Sequence, residues 1–307
     1  MVIHKEYKKN QLMIGSNGRK QKKHVFDWVN LICLSLFAIA SIYPLIYVIA
    51  GSFNEGSDYI NGGIWLFPRV FSLENYQVVL NDMRLWKSFG ITIARTVLGT
   101  FLSVIYTAVV AYAMSRPNLI GKPIIYRFFI FTMFFGGGLI PYFWVINLLG
   151  LFDNFLVYII PAMFSVYNML VFVNFFKTIP EEIHESAVMD GASEFNIFFS
   201  IVLPLSGPVV STIALWNAVG HWNSFFDTMI YTSNDNLWTL QYYLMKVIKE
   251  SSMPASGVNL PIELLQKVAP ETVSLAAIMI SVIPIFILYP IILKTLTKGV
   301  VVGSLKG

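Results

Sequence analysis

Charged residues are scarce in this sequence, and their scarcity is informative. Asp, Glu, Lys and Arg make up 12% of the 307 residues, against about 25% in an average soluble domain. Apolar residues make up 56%, and a soluble chain of this length cannot hide that much apolar surface beneath a polar shell. The composition excludes an ordinary soluble domain and indicates an integral membrane protein.

Cysteine is almost absent, and histidine is scattered. The single cysteine, Cys33, lies inside an apolar run, so it supports neither a disulfide framework nor a cysteine-based metal site. The four histidines show no metal-ligand spacing, and no Ser–His–Asp arrangement can be recognised. The net charge of +4 is small, with no basic stripe typical of nucleic-acid binding. We therefore expect no metal, no cofactor bound by this chain and no nucleic-acid partner.

Long runs without charged residues predict membrane-spanning helices. A bilayer core about 30 Å thick needs roughly 20 apolar residues as a helix, and continuous rather than alternating runs favour helices over barrel strands. The sequence predicts an all-α protein with six spans. The runs are Trp28–Asn54, the stretch between Arg95 and Arg116 (with Ser88–Ala94 as an extension), Phe128–Phe152, Asn154–Phe176, Phe195–Phe226 and Thr272–Leu293. The fifth is longer than one span needs.

The distribution of Lys and Arg predicts the orientation in the membrane. With six spans both termini lie on one side, and that side carries fourteen of the 21 basic residues. The positive-inside rule then places both termini in the cytoplasm. The expected organisation is a cytoplasmic N-terminal segment (1–27), a permease domain (28–297) and a cytoplasmic tail (298–307).

Between the fourth and fifth runs, residues 178–204 predict a helix–turn–helix at the cytoplasmic surface. Pro180 suits a first helical turn, Gly191 suits a left-handed helix end, and Ser193 suits the cap of a second helix whose apolar face includes Phe195 and Phe198. Pro204 is expected to open the fifth span. Because residues 181–200 contain no Lys or Arg, insertion into a protein groove is favoured over an interfacial helix pair at an anionic leaflet. A loop packing on its own bundle is a further alternative.

The same segment resembles the EAA motif of ABC-importer permeases of the maltose-transporter class. Its spacing is Glu-Ser-Ala at 185–187, three residues, Gly191, nine residues, then Ile-Val-Leu-Pro at 201–204. The only departure from the family pattern is Ser186, which replaces an alanine. The resemblance extends to FFGGGLIPYFWVINLLGLFDN at 134–154, GHWNSFFD at 220–227 and the C-terminal GVVVGSLKG, and it points to the oligosaccharide and polysaccharide branch. The ATPase-coupling residues that it implies are Glu185, Ser186, Ala187, Asp190, Gly191, Ala192, Phe195, Phe198 and Pro204.

The resemblance also implies partners. A second homologous permease, two copies of a cytoplasmic ATPase and an external sugar-binding protein are expected, in a bacterial plasma or inner membrane. This sequence has no phosphate-binding loop: the glycines at 136–138 are followed by Leu-Ile-Pro, without a lysine. ATP and Mg²⁺ are therefore expected on the partner ATPase, and this chain is expected to be non-catalytic.

Polar residues near the end of the fifth run are candidates for the substrate pathway. Sugars favour amide and carboxylate groups beside aromatic rings. The alternative is an interfacial aromatic belt with asparagines bonding neighbouring helices. The candidates are Asn217, His221, Trp222, Asn223 and Asp227.

Two other classes of function compete with an ATP-driven importer. A secondary transporter would need charged coupling residues at mid-span, and an intramembrane enzyme would need a nucleophile or paired carboxylates. The runs show neither pattern.

Overall fold

The computed structural model describes residues 25–62, 64–250 and 267–304, and their regular structure is helical apart from one isolated antiparallel bridge between Asn54 and Phe71. The helices, numbered here in chain order, are α1 (Val25–Ser52), α2 (Gly56–Tyr59), α3 (Glu74–Leu80), α4 (Met83–Ser115), α5 (Lys122–Phe134), α6 (Leu139–Leu148), α7 (Val166–Phe176), α8 (Glu181–Met189), α9 (Glu194–Ile197), α10 (Leu203–Leu205), α11 (Gly207–Asn223), α12 (Phe226–Tyr231), α13 (Leu240–Glu250) and α14 (Pro270–Ser304). Two 3₁₀ turns, Phe155–Tyr158 and Ile160–Ala162, precede α7, a third (Asp235–Leu237) precedes α13, and a π-helical turn, Phe198–Val202, follows α9.

Three of the described helices are long and apolar enough to cross a membrane, at Trp28–Ser52, Met83–Ser115 and Pro270–Ile287. Three further helix pairs pass the same test only as bent pairs, which gives up to six spans. They bend by 114° between α5 and α6, by 46° between the 3₁₀ turns and α7, and by 82° between α10 and α11. The six-span count therefore stays a prediction.

The break before α11 changes the predicted start of the fifth span. Pro204 lies in the short α10, and the helix axis turns after it, at Ser206, so that the straight helix begins at Gly207. The excess length of the fifth run is explained by this bend, because its first residues belong to the second half of the helix–turn–helix at 178–204, called the coupling segment below. Gly207 and Pro208 occupy the first turn of α11, where the missing proline N–H costs no hydrogen bond.

The last described helix, α14, includes the sixth predicted run and extends beyond it. Helix α14 continues past the apolar run to Ser304, so residues 298–304 are helical. Residues 305–307 and most of the N-terminal segment lie outside the described residues.

Contacts divide the chain into two units, with the boundary between Tyr47 and Val48. In the first unit, α1 exposes its large apolar side chains from Phe26 to Leu45, as expected of a helix in contact with lipid or another subunit. In the second unit, α4 is the central element and packs against α3, α7, α11 and α13. Helix α14 packs against α3, α11 and α13.

Small residues allow α4 and α11 to approach closely. Gly99, Ser103, Ala108 and Ala111 are buried along α4, and such residues are enriched where helices pack in membranes. A Cβ atom at Gly99 would lie 2.5 Å from Nε2 of His221 on α11. The packing of these two helices therefore depends on the absence of a side chain at position 99.

Candidate functional site

The coupling segment forms the expected pair of helices joined by a glycine turn. Gly191 has φ +81°, the left-handed region that glycine reaches without steric cost. Its N–H donates to the carbonyl of Val188, and the N–H of Ala192 donates to that of Ala187, both at 3.0 Å. This pair of bonds is a Schellman motif. Ser193 Oγ then accepts from the N–H of Asn196, which caps α9. The predicted positions of the turn and cap are confirmed.

The two aromatic residues predicted on the docking face of this segment differ in their exposure. Phe198 is 3% exposed and packs on Tyr112 of α4 with ring centroids 5.1 Å apart, whereas Phe195 is 70% exposed. The π-helical turn at Phe198–Val202 shifts the helical register at this point. Phe198 is thus committed to the core of this chain, and the prediction that it docks on a partner is corrected. Met189 and Phe195 are the most exposed apolar side chains of this segment, at 88% and 70%.

The other predicted coupling residues divide into exposed and internal positions. Ala187 is buried and Ala192 is half-buried, so these two pack within the chain. The exposed members are Glu185, Ser186, Asp190, Gly191 and Pro204.

A set of polar side chains ties this segment to the C-terminal end of α4. We call it the coupling cluster, and its members are Tyr112, Arg116, Glu181, His184 and Glu194. The Tyr112 hydroxyl donates to Glu194 Oε2 at 2.6 Å, and Glu194 Oε1 lies 3.0 Å from Nε2 of His184. Arg116 lies 3.6 Å from Glu181 and stacks over the Tyr112 ring. Both helices of the segment are therefore attached to α4.

The coupling cluster has a defined electrostatic state and an open side. The hydrogen bond from Tyr112 and the neighbouring His184 hold the pKa of Glu194 below its usual value, so this carboxylate is ionised at neutral pH.

A groove of about 540 Å³ lies between α8, α9 and the end of α4, with Leu119 and Phe195 among its apolar walls. The sequence alone missed Tyr112 and Arg116, because residues about 70 to 80 positions apart carry no local pattern that relates them.

A second group, here called the ionic cluster, lies toward the other end of α4. Arg95 is 2% exposed and pairs with Asp227 of α12. Its Nε donates to Nδ1 of His221 at 3.3 Å, and its guanidinium lies 4.7 Å from the ring centroid of Tyr158. Because an unpaired charge inside a membrane protein is costly, the pairing with Asp227 explains how α4 holds an arginine within its apolar length.

Arg95 is the functional candidate that sequence reasoning missed. The predicted second run starts after Arg95, which places this residue at the edge of the span, whereas α4 begins twelve residues earlier, at Met83. The predicted extension, Ser88–Ala94, lies within this helix, and it is the feature of the sequence that indicates a longer span. Joining the two runs would have placed Arg95 inside a span, where a charge marks a site to examine.

The five predicted pathway residues do not form one site. His221 and Asp227 meet through Arg95. Asn217 instead connects helices, accepting from Asn168 at 3.1 Å and donating to Ser103 at 3.2 Å. The other two also lie apart: Trp222 is buried against Phe89, with ring centroids 5.9 Å apart, and Asn223 is exposed.

The bundle of apolar helices, with an exposed helix pair attached to its central helix, is the architecture of an integral membrane protein with a surface open to a partner. The profile of the family "binding-protein-dependent transport system inner membrane component" matches residues 88–302. The chain belongs to this family. Such chains are non-catalytic permease subunits of larger transport complexes.

Relatives and a solved structure agree with the family profile. Protein LplC of Bacillus subtilis is 36% identical over 284 residues, 92% of this chain and 95% of the relative. The polygalacturonan/rhamnogalacturonan transport system permease protein YtcP of the same organism is 35% identical, over 93% of this chain and 100% of its own length. The crystal structure of a bacterial ABC transporter that imports the acidic polysaccharide alginate contains a chain with a TM-score of 0.82 and 32% identity, which covers 91% of this chain and 99% of that chain.

Proposed function

We propose that this chain is a permease subunit of an importer for oligosaccharides, driven by ATP that a partner subunit hydrolyses. The relatives support the substrate class, since several are permeases of named carbohydrate transport systems. Their substrates include polygalacturonan/rhamnogalacturonan, arabinooligosaccharides and diacetylchitobiose, and one relative belongs to a system for sulfoquinovosyl glycerol. The proposed assembly contains a second homologous permease, two cytoplasmic ATPase subunits that bind ATP and Mg²⁺, and a sugar-binding protein. Both termini of this chain are cytoplasmic in this proposal.

The observation that carries the proposal is the construction of the coupling segment. Met189 and Phe195 present exposed apolar side chains beside the exposed carboxylate of Glu185, as a helix that inserts into a protein groove requires. The coupling cluster attaches the same segment to α4. A movement of the docked ATPase is thereby transmitted to the bundle as a rigid-body shift.

The secondary-transporter alternative is not favoured. The ionic cluster does place a charge inside the membrane part of α4, but Arg95 is already neutralised by Asp227, and the chain belongs to a family that works with a binding protein.

Site-specific cross-linking tests the docking surface. Cys33 is the only cysteine, so Cys33→Ser gives a cysteine-free background. In that background we expect Met189→Cys to cross-link, through a short bis-maleimide, to a cysteine in the groove of the co-expressed ATPase subunit. Leu156→Cys, an exposed site in the 3₁₀ turn before α7, is the control and should give no such product.

The outcomes are distinct. A cross-link from Met189→Cys to the ATPase cysteine that is absent from Leu156→Cys, together with ATP-dependent uptake of oligosaccharide by the assembled complex, supports the proposal. Equal cross-linking from the two positions would remove the docking assignment, and uptake that persists without any ATPase would support the secondary transporter.

A further inference from the structure

A small cavity beside the ionic cluster has the chemistry of a sugar contact. It encloses about 100 Å³ between α6, the 3₁₀ turns before α7, and α12. Its walls include three tyrosines, Tyr142, Tyr158 and Tyr231, and the carboxylate of Asp227. Of the five pathway residues predicted from the sequence, only Asp227 lines this cavity.

Polar groups on this cavity are left free by the fold. Asp227 uses Oδ2 for Arg95 and for Ser224 Oγ, the latter at 3.1 Å. Among the residues that the structure describes, Oδ1 of Asp227 and the hydroxyls of Tyr142 and Tyr231 have no hydrogen-bond partner. Tyr231 as a whole is only 3% exposed, but its hydroxyl is not among the fully buried polar atoms of the described residues, as expected of a group that lines the cavity. These three groups are therefore available to a ligand in the cavity.

The hydroxyl of the neighbouring Tyr158, unlike that of Tyr231, is hydrogen-bonded within the fold. It donates to the carbonyl of Leu237 at 2.6 Å and accepts from Thr228 at 3.1 Å, so it is committed to the fold. The ring of Tyr231 is held from behind by Phe143, with ring centroids 6.1 Å apart. Tyr231 is thus fixed in place while its hydroxyl stays unused.

The free groups select the chemistry of the ligand. An ionised carboxylate only accepts hydrogen bonds, so Asp227 Oδ1 requires a donor such as a sugar hydroxyl. Tyrosine rings offer an apolar face beside a polar tip, which suits the C–H face and hydroxyl edge of a sugar ring. Arg95 is neutralised by Asp227 and buried, so a ligand carboxylate finds no free cation in this cavity.

The volume limits how much of the ligand enters. Whole small-molecule sites enclose roughly 300–1,000 Å³, several times the volume of this cavity. It accommodates the edge of one sugar ring, and the remaining contacts must come from elsewhere in the assembled complex.

We propose that Tyr142, Tyr231 and Asp227 Oδ1 form a contact site for the hydroxyl edge of one sugar ring of the transported oligosaccharide. The proposal rests on the importer function argued above, and it adds the site through which this subunit touches its substrate.

Removal of single hydroxyls tests the site without disturbing the ionic cluster. Tyr142→Phe and Tyr231→Phe are made in the full chain and assembled with its co-expressed ATPase, second permease and binding protein in proteoliposomes. The probes are arabinan-derived oligosaccharides, which carry no carboxylate. We expect each variant to lower kcat/KM for uptake about five-fold, the equivalent of ~1 kcal/mol for one hydrogen bond. Tyr142→Ala, which also removes the ring, should lower it further.

Tyr167→Phe is the matched control, because Tyr167 is exposed, does not line the cavity, and packs on Trp216 at 6.0 Å. It should transport like the unaltered protein. Co-purification of the ATPase subunit with each variant reports that the complex has assembled.

Two failures can be told apart. If the unaltered complex imports these oligosaccharides and both Tyr→Phe variants match it and the control, the contact site is wrong while the importer function stands. If the unaltered complex imports none of the oligosaccharides, the proposed function and the site both fail.

Discussion

The ionic cluster and the coupling cluster both depend on α4, but they are built in opposite ways. Arg95 and Tyr112 are seventeen residues apart, roughly 26 Å along a helix, which is close to the thickness of a bilayer core. Arg95 is sealed within the bundle, whereas the side chain of Glu194 in the coupling cluster is 61% exposed. One end of α4 is thus locked into the fold, and the other carries contacts that water and salt can weaken.

This difference is expected of a helix that is fixed near Arg95 and can move near Tyr112. A buried pair is costly to break, because separation leaves an uncompensated charge. Partly exposed pairs contribute little each, so the coupling cluster can rearrange at low cost. The comparison therefore predicts large losses of stability for changes near Arg95 and selective losses of coupling for changes near Tyr112.

The largest effect is expected for Arg95→Ala. This change leaves Asp227, whose side chain is 33% exposed, without its cation, and it removes the charge-assisted hydrogen bonds of a buried guanidinium, which costs about 2 kcal/mol of unfolding free energy. We expect a marked fall in the thermal unfolding midpoint of the detergent-solubilised protein. Arg69→Ala, which removes the partly exposed pair with Asp58, is the matched control and should shift the midpoint far less. Equal shifts for the two variants would show that the ionic cluster is no more important for stability than a surface pair.

The second expectation concerns the packing behind the ionic cluster. Gly99→Ala places a Cβ atom 2.5 Å from His221, whose ring is held by Arg95. Overpacking of this kind costs roughly 1–3 kcal/mol, measurable as a lower unfolding midpoint. Gly90→Ala, on the same helix with open space around the position, should leave stability unchanged or raise it by up to about 1 kcal/mol. Similar losses at the two glycines would mean that α4 tolerates no alanine for reasons unrelated to His221.

The two clusters also show how far sequence reasoning reaches. The coupling segment was predicted with its glycine turn and its Ser193 cap because both are local: φ +81° at Gly191 and the bond from Asn196 depend on neighbours within a few residues. The all-helical membrane fold was likewise predictable, since continuous apolar runs satisfy the backbone only as helices in lipid.

The parts that could not be predicted depend on distant contacts. The pairing of Arg95 with Asp227 joins residues separated by 132 positions, and no periodicity connects them. The burial of Phe198 depends on a π-helical turn and on Tyr112, so an apolar stripe counted at α-helical spacing assigned it to the wrong surface. Apolar residues identify a face, but the tertiary structure decides which members of that face are covered.

The third expectation concerns the left-handed backbone conformation of Gly191 in the coupling segment. Gly191→Val places a β-branched residue in the left-handed region, which costs on the order of 1 kcal/mol or more. No atom lies within 4 Å of the added Cβ, so the cost is conformational and is not a clash. We expect ATP-dependent uptake and co-purification of the ATPase subunit to be lost while membrane insertion is kept.

Gly150→Val controls for the strain itself. Gly150 also has positive φ, at +67°, with open space around its Cβ position, but it lies after α6, outside the coupling segment. It should incur a similar cost in stability and keep its ATPase. If both variants lost the ATPase equally, the loss would reflect strain in general, and the coupling assignment would be withdrawn.

The smallest and most selective effect is expected for Tyr112→Phe. The change removes only the hydroxyl that bonds Glu194 at 2.6 Å and keeps the ring that packs on Phe198. Because Glu194 is largely exposed, water can replace the lost bond, and the cost to stability is ~1 kcal/mol or less. The variant should therefore fold, insert and retain its ATPase, but α9 is held less firmly to α4. We expect the number of ATP molecules hydrolysed per oligosaccharide imported to rise about two-fold. Tyr106→Phe, an exposed tyrosine on the same helix, should leave that ratio unchanged. A ratio equal to that of the unaltered complex in Tyr112→Phe would show that the coupling cluster holds the segment in place without transmitting its movement.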